Sequence, residues 1–120
     1  NKQLHTWLLV TDDIAAHVPA ELRGRTRRVD RVVVVGAHAP VTLHTYDFSP
    51  PLDYSGFRKA FDEGLSAYLA GDWRKAAALL EQAAHRWPDD GPTAALRERI
   101  GRLGPDAPPG WSGALQLTQK

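Results

Sequence analysis

Residues 57–87 read FRKAFDEGLSAYLAGDWRKAAALLEQAAHRW, and this stretch predicts two helices joined by a short turn. Apolar side chains recur at helical spacing in each half, so each helix presents one apolar face. Gly71 suits the left-handed residue that ends the first helix. Asp72 can cap the second helix through its side-chain oxygen, and Pro88 ends it. The predicted apolar faces are Phe57, Phe61, Leu65 and Tyr68 in the first helix, and Trp73, Ala77, Leu80, Ala84 and Trp87 in the second.

The composition of the whole chain limits the classes of protein to which it can belong. Its 120 residues carry a net charge of +1 and 42% hydrophobic residues, which suits one domain or two small pieces. The near balance of charge argues against a nucleic-acid surface. No apolar run is long enough to span a bilayer, and the absence of cysteine fits a cytoplasmic location. Because the chain starts at Asn1 and lacks methionine, we interpret it as a piece of a longer protein.

The region before the helices predicts mainly strands. The apolar run HTWLLV, residues 5–10, is typical of a buried strand, and residues 12–18 predict a short helix. Residues 26–35 and 41–48 are rich in β-branched side chains. The connection between them, GAHAP at 36–40, is short enough to join antiparallel neighbours. We therefore expect a β-hairpin.

Two details of this hairpin are specific enough to be tested. Alternation along the first strand is expected to place Val29 and Asp30 on opposite faces. The basic run RGRTRR, residues 23–28, is interpreted as a solvated loop between a helix and a strand.

Prolines mark a boundary between this region and the helices. Pro50 and Pro51 remove ladder donors and disfavour helix before them, so residues 49–56 are interpreted as a linker. A third helix is predicted from Gly91 to Leu103, with Asp90 or Gly91 near its N-cap and Pro92 in its first turn. The sequence thus predicts an α+β fold: a short strand, a helix and an antiparallel β-hairpin, then a helical hairpin, a capping helix and an extended tail.

The helical hairpin resembles one tetratricopeptide repeat, which has 34 residues, the length of the stretch 57–90. Small Gly64 and Ala83 would let the two helices approach closely, and Trp73 would fill the space near the turn. One repeat offers almost no groove for a peptide. An independent tetratricopeptide-like interaction module, with no enzymatic parent, is therefore the alternative interpretation. Residues in the family's order are Gly64, Ala67, Tyr68, Gly71, Asp72, Trp73, Ala76, Leu80, Ala83 and Pro88.

The flanking sequences resemble a second family, the bacterial class III adenylate and guanylate cyclases. RRVDRVVVVGAHAPVTLHTYDF, residues 27–48, is similar to the closing hairpin of their catalytic domain, and LLVTDDIAAHV, residues 8–18, to the strand and helix before it. The stretches FRKAFDEGLSAYLAGDW, WPDDGPTAALRERI, PPGW and LTQK follow in the order of the extension found after many such domains. The tail differs from the family at Ser112, where an Asp is usual. The resemblance covers nearly the whole chain.

This resemblance implies a parent protein that converts ATP to cyclic AMP and diphosphate, with two Mg or Mn ions and a dimeric active site. Residues 1–48 would be the last segment of the catalytic domain, 49–56 a linker, and 57–120 the helical extension. The expected partners are the upstream catalytic domain and a second copy of the chain, with no nucleic acid and no membrane segment. The chain would be a cytoplasmic structural or regulatory region in cyclic nucleotide signalling.

We expect this chain to be non-catalytic by itself. Val35 occupies the position of the family's phosphate-contacting Lys, and a valine cannot stabilise phosphate charge. The family's metal-binding aspartates match no part of the sequence. The five histidines lack metal-ligand spacing, although His38 and His44 flank one hairpin. The adjacent Asp12 and Asp13 are interpreted as a helix cap, so no catalytic, cofactor or metal residue is assigned.

Overall fold

The computed structural model describes residues 10–11, 17, 19, 26–33, 39–47, 51–111 and 113–116. It confirms the predicted α+β class. Contacts divide the chain into two compact units. The helical unit comprises Asn1–Trp7 and Pro50–Gly113, and the sheet unit comprises Leu8–Ser49 and Ala114–Lys120.

The helical unit contains the predicted helices. Helix α1 spans Tyr54–Ala70, α2 spans Trp73–Arg86 and α3 spans Gly91–Leu103. Helix α1 therefore begins three residues before Phe57, inside the stretch interpreted as a linker. Its first turn extends the aromatic face, because Tyr54 stacks on Phe57 with ring centroids 6.3 Å apart.

The turn between α1 and α2 has the geometry that its sequence predicts. Gly71 lies in the left-handed region at φ 90°, where a side chain would be strained. The side chain of Asp72 accepts a hydrogen bond from the backbone N–H of Lys75 at 3.3 Å and so caps α2. This turn reverses the chain within two residues, which brings the apolar faces of both helices together.

The packing of α1 against α2 depends on small residues. A Cβ at Gly64 would lie 3.0 Å from Cγ and Cδ2 of Leu80, so glycine allows the close approach. The buried face of α2 differs from the predicted one, because Ala76 and Ala83 are buried whereas Ala77 is exposed. The core of the two helices comprises Phe57, Ala60, Phe61, Gly64, Leu65, Ala67, Tyr68, Trp73, Ala76, Leu80 and Ala83.

The side chain of Asp90 caps the N-terminus of helix α3. The buried carboxylate of Asp90 accepts hydrogen bonds from the backbone N–H of Thr93 at 3.0 Å and from its hydroxyl at 2.6 Å. Pro92 occupies the first turn, as predicted. The helix packs on α2 through a stripe that includes Leu96 and Ile100. The predicted capping helix is thereby confirmed.

The described residues of the sheet unit form four strands in the order β1-β3-β2-β4. Strand β2, Thr26–Val33, and β3, Val41–Tyr46, form the predicted antiparallel hairpin. Strand β1, Val10–Thr11, pairs antiparallel with β3, and β4, Leu115–Gln116, pairs parallel with β2. The rest of the predicted first strand, the predicted helix apart from His17, and the predicted strand ends at 34–35 and 48 lie outside the described residues.

A register shift between Arg28 and Asp30 changes the burial pattern of β2. An extra residue in one strand interrupts the alternation of faces. As a result Val29 and Asp30 are both buried, each 1% exposed, instead of facing opposite ways.

The described part of the basic run is in β2 rather than in a solvated loop. Arg27 is buried, and its Nε donates to Oδ2 of Asp47 at 2.8 Å while Nη2 donates to Oδ1 at 3.2 Å. The interpretation of this stretch as a loop was wrong at Arg27, because a buried carboxylate directly after the neighbouring strand compensates its charge. Arg23 to Arg25 are outside the described residues.

The C-terminal tail is divided between the units. Residues up to Gly113 group with the helices, whereas residues from Ala114 onward group with the sheet. The pairing of Leu115–Gln116 with β2 explains this assignment. The predicted division, with 57–120 as one helical extension, stays a prediction.

Candidate functional site

A cluster of aromatic and charged side chains in the helical unit surrounds the C-terminal turn of α1. Four residues form it, and we call them the turn cluster: Tyr68, Trp73, Arg99 and Trp111. They come from α1, α2, α3 and the segment after α3. The cluster thus collects one side chain from each successive part of the unit.

The backbone oxygen of Tyr68 is the centre of this cluster. Carbonyl groups in the last turn of a helix have no intrahelical partner. The oxygen accepts hydrogen bonds from the N–H of Gly71 at 3.2 Å, Nε1 of Trp73 at 3.1 Å and Nε1 of Trp111 at 3.0 Å. Two indoles therefore provide C-terminal capping for α1 in addition to the backbone turn.

The rings of the cluster also pack on one another. Tyr68 and Trp73 are stacked with centroids 5.3 Å apart and an interplanar angle of 17°. Trp111 packs edge-on to both rings, at centroid distances of 5.1 Å and 5.3 Å. Such edge-to-face geometry is favourable beyond the area that it buries. Trp73 is 1% exposed, so its indole is a core group and not a surface for a partner.

Arg99 completes the cluster from α3. Its Nη1 donates to the hydroxyl of Tyr68 at 2.8 Å, and its guanidinium lies 5.8 Å from the centroid of the Tyr68 ring. The residue is 2% exposed. An arginine can be buried here because the ring face and the hydroxyl both interact favourably with its charge. The side chain of Arg99 therefore links α3 to α1.

An exposed ion pair fixes the segment that leads to Trp111. Nε of Arg74 donates to Oδ1 of Asp106 at 2.7 Å. This hydrogen bond holds the pKa of Asp106 below its usual range. Because the pKa is lowered in the folded state, any stabilisation is present at neutral pH and is lost as the pH falls through the depressed pKa. The pair is fully accessible to solvent, so salt screens it.

A second aromatic group lies at the open end of the hairpin. The ring of Trp87 packs edge-on to Phe57 and Tyr54, with centroids 5.1 Å and 6.4 Å apart. An ion pair between Arg86 and Asp53 joins the end of α2 to the residue before α1. Trp87 is half-buried, unlike Trp73 at the other end. The two ends of the hairpin are therefore closed by separate aromatic groups.

Two depressions on the described surface of the helical unit are open to solvent. One lies beside the C-terminal half of α1 and the start of α2, where acidic Asp62, Glu63 and Asp72 face a single Lys75. Another lies between α2 and α3, near His85 and Arg97. Neither of these two depressions brings together a catalytic set of side chains.

Among the described residues, no group of three or more His, Cys, Asp or Glu side chains is arranged to hold a metal ion. His44 lies in β3 and His17 is exposed, while His38 is outside the described part of the chain. The suggested pairing of His38 with His44 therefore stays a prediction. Val35, Asp12 and Asp13 also lie outside the described residues.

Two members of the turn cluster, Arg99 and Trp111, were not predicted from the sequence as contacts of Tyr68. Arg99 falls on the same stripe as Leu96 and Ile100, and a charged residue in an apolar stripe is a signal of a buried partner. Trp111 gave no such signal, because its position depends on an irregular segment.

The described helices are each too short or too polar to cross a membrane. Comparisons with protein-family models, curated proteins and solved structures found no match for this chain.

Proposed function

We propose that the chain is the C-terminal structural and regulatory region of a class III cyclase-like protein and is not catalytic by itself. The observation that carries this proposal is the composition of the turn cluster. Three of the four stretches that resemble the cyclase extension contribute a side chain to it: the Gly-Asp-Trp turn gives Trp73, the Arg-containing helix gives Arg99, and Pro-Pro-Gly-Trp gives Trp111.

Contact between these residues supports a structural role for the motif. The resemblance requires these stretches to occur together and in a fixed order. That requirement is explained if their residues form one core and hydrogen-bond to one another. Tyr68 supplies both acceptors, its backbone oxygen and its hydroxyl. The indoles and the guanidinium are directed to the interior of the unit, which favours a scaffold over a recognition groove.

The sheet unit is compatible with the same proposal. Its β2–β3 hairpin is antiparallel, as the closing hairpin of a cyclase domain would be. In the proposed parent, an upstream catalytic domain would supply two Mg or Mn ions and the residues that convert ATP to cyclic AMP and diphosphate. The proposed partners of this chain are that domain and a second copy, and the proposed location is the cytoplasm.

The alternative proposal is a tetratricopeptide-like interaction module without an enzymatic parent. The observation that favours it is the acidic depression beside α1, which could accept a basic segment of a partner. This depression is open to solvent and encloses little of a partner's surface, so it would bind weakly. A longer protein that contained such a module would show no nucleotide-dependent activity.

The position of Val35 provides a test of the cyclase proposal. Replacing Val35 by Lys in the full-length gene product should raise the rate of cyclic nucleotide formation by about tenfold or more, because a cation would stabilise the developing phosphate charge. Product formation from ATP with Mn²⁺ measures the effect.

Ala39→Lys is the matched control, since it adds the same charge at an exposed position four residues further along the chain. The proposal requires Val35→Lys to exceed this control clearly. Equal rates for the two variants would show that position 35 has no special relation to the phosphates and would count against the proposed function.

A further inference from the structure

One face of the β2–β3 hairpin in the sheet unit carries basic and hydroxyl side chains. Residues directly opposite each other in an antiparallel pair have their side chains on the same face. Arg28 lies opposite His44, and Arg31 lies opposite Thr42. Thr42 and His44 share a face because they are two residues apart in β3. We call this surface the basic face, and it comprises Thr26, Arg28, Arg31, Thr42, His44 and Tyr46.

The register shift in β2 is the reason that both arginines lie on this face. In a regular strand, residues 28 and 31 would point to opposite faces, because successive side chains alternate. The shift between Arg28 and Asp30 inserts an extra residue, so Arg31 returns to the face of Arg28. Their partners are two residues apart in β3, which corresponds to about 7 Å along the strand.

The carboxylates of this hairpin belong to its other face. Asp30 lies opposite Leu43, and Asp47 pairs with Arg27. Both carboxylates are buried, with Asp30 1% and Asp47 4% exposed, whereas every residue of the basic face is half-buried. Among the described residues of β2 and β3, no Asp or Glu lies on the basic face. These two strands therefore give that face a net positive charge.

This chemistry fits a peptide with regularly spaced carboxylates. A guanidinium can donate two parallel hydrogen bonds to one carboxylate. In an extended peptide, alternate side chains point the same way about 7 Å apart, which matches the spacing of Arg28 and Arg31. Thr42 and Tyr46 add hydroxyl groups that can donate or accept. The near balance of charge over the whole chain disfavours a nucleic acid as the occupant.

We infer that the basic face binds an extended acidic segment of a partner protein, with alternate carboxylates on Arg28 and Arg31. His44, opposite Arg28, adds positive charge to the same face when it is protonated. Because the contacts are electrostatic and partly open to water, the binding is weak and sensitive to salt. This inference goes beyond the proposed function and does not depend on it.

The test is fluorescence anisotropy with the whole chain and a labelled peptide of alternating Glu and Thr residues. We expect binding that weakens as the ionic strength rises. Arg31→Gln should weaken it by about fivefold or more, because hydrogen bonds to charged groups are the stronger ones. Arg31→Lys should lose less, since it keeps the charge but not the planar fork of donors.

Arg102→Gln is the matched control, because it makes the same substitution at an exposed arginine of α3 that pairs with Glu98. It should leave the affinity for the peptide unchanged. A peptide of alternating Gln and Thr is the control for the ligand and should not bind.

A second variant keeps the test valid if Arg31→Gln does not fold. Thr42→Glu retains both arginines but places a carboxylate directly opposite Arg31. This carboxylate competes with the peptide for the guanidinium, so the affinity should again fall by about fivefold or more. The circular dichroism spectrum of each variant shows whether the fold is retained.

An absence of peptide binding at low ionic strength would overturn the inference, and so would an equal loss of affinity in Arg102→Gln. Tighter binding of single-stranded oligothymidylate than of the acidic peptide would also overturn it, because that result identifies a nucleic-acid surface. Peptide affinity reports the basic face alone, whereas formation of cyclic nucleotide by the full-length protein reports the proposed function. Failure of one is therefore distinguishable from failure of the other.

Discussion

Trp73→Ala is expected to lower the free energy of unfolding of the helical unit by about 3–5 kcal/mol, the usual cost of removing a large buried aromatic side chain. The indole is 1% exposed, stacks on Tyr68 and contacts the Trp111 ring. Its removal leaves a cavity and also removes one donor to the Tyr68 oxygen. Urea unfolding followed by helical circular dichroism measures the loss.

Trp87→Ala is the control for this prediction, because it deletes the same side chain from a half-buried site at the open end of the hairpin. Its cost should be clearly smaller. If Trp73→Ala costs no more than Trp87→Ala, the turn cluster does not have the structural importance that its contacts indicate.

Asp47→Ala is expected to destabilise the sheet unit by about 3–5 kcal/mol, because it removes the carboxylate that compensates a buried charge. The side chain of Arg27 is 0% exposed and that of Asp47 is 4% exposed. Burying an ion without a counter-charge costs far more than a lost surface contact. Denaturant unfolding monitored by strand-sensitive amide signals in the NMR spectrum would give the value.

Two further variants separate the charge effect from a general effect of substitution. Asp89→Ala removes an exposed carboxylate and should change stability by less than about 0.5 kcal/mol. Combining Arg27→Met with Asp47→Leu removes both charges and should recover much of the loss, since apolar replacements of buried pairs are often tolerated. If the double variant is as unstable as Asp47→Ala, the uncompensated charge is not the cause.

Local chemistry in the sequence was sufficient to predict the helical hairpin. Gly71 and Asp72 are residues with strong positional preferences, and both act as predicted at the turn. Asp90 and Pro92 likewise marked the start of α3. These features depend on residues within one turn of each other, which is the range over which sequence patterns are informative.

Two alanines on the buried face of α2 were predicted one residue too late, whereas Trp73 and Leu80 are buried as predicted. Ala76 and Ala77 are adjacent alanines, and either fits a stripe that contains Trp73 and Leu80. Only the position of α1, which approaches through Gly64, decides which alanine is buried. The sequence pattern of a single helix does not contain that information.

Long-range pairing explains the features that the sequence did not reveal. The burial of Arg27 depends on Asp47, which is 20 residues away, and on the register shift in β2. Arg99 and Trp111 meet Tyr68 across 31 and 43 residues. A sequence pattern alone predicts that such a residue is exposed to solvent. Its burial becomes predictable only when its distant partner is known.

The most direct test of the proposed function compares this chain with the full-length gene product that contains it. Each is incubated with ATP and Mn²⁺, and cyclic AMP is quantified. We predict cyclic AMP from the full-length protein, increased by Val35→Lys, and none from the chain alone. Formation of cyclic AMP by the chain alone would contradict the account, as would its absence from the full-length protein even with Val35→Lys.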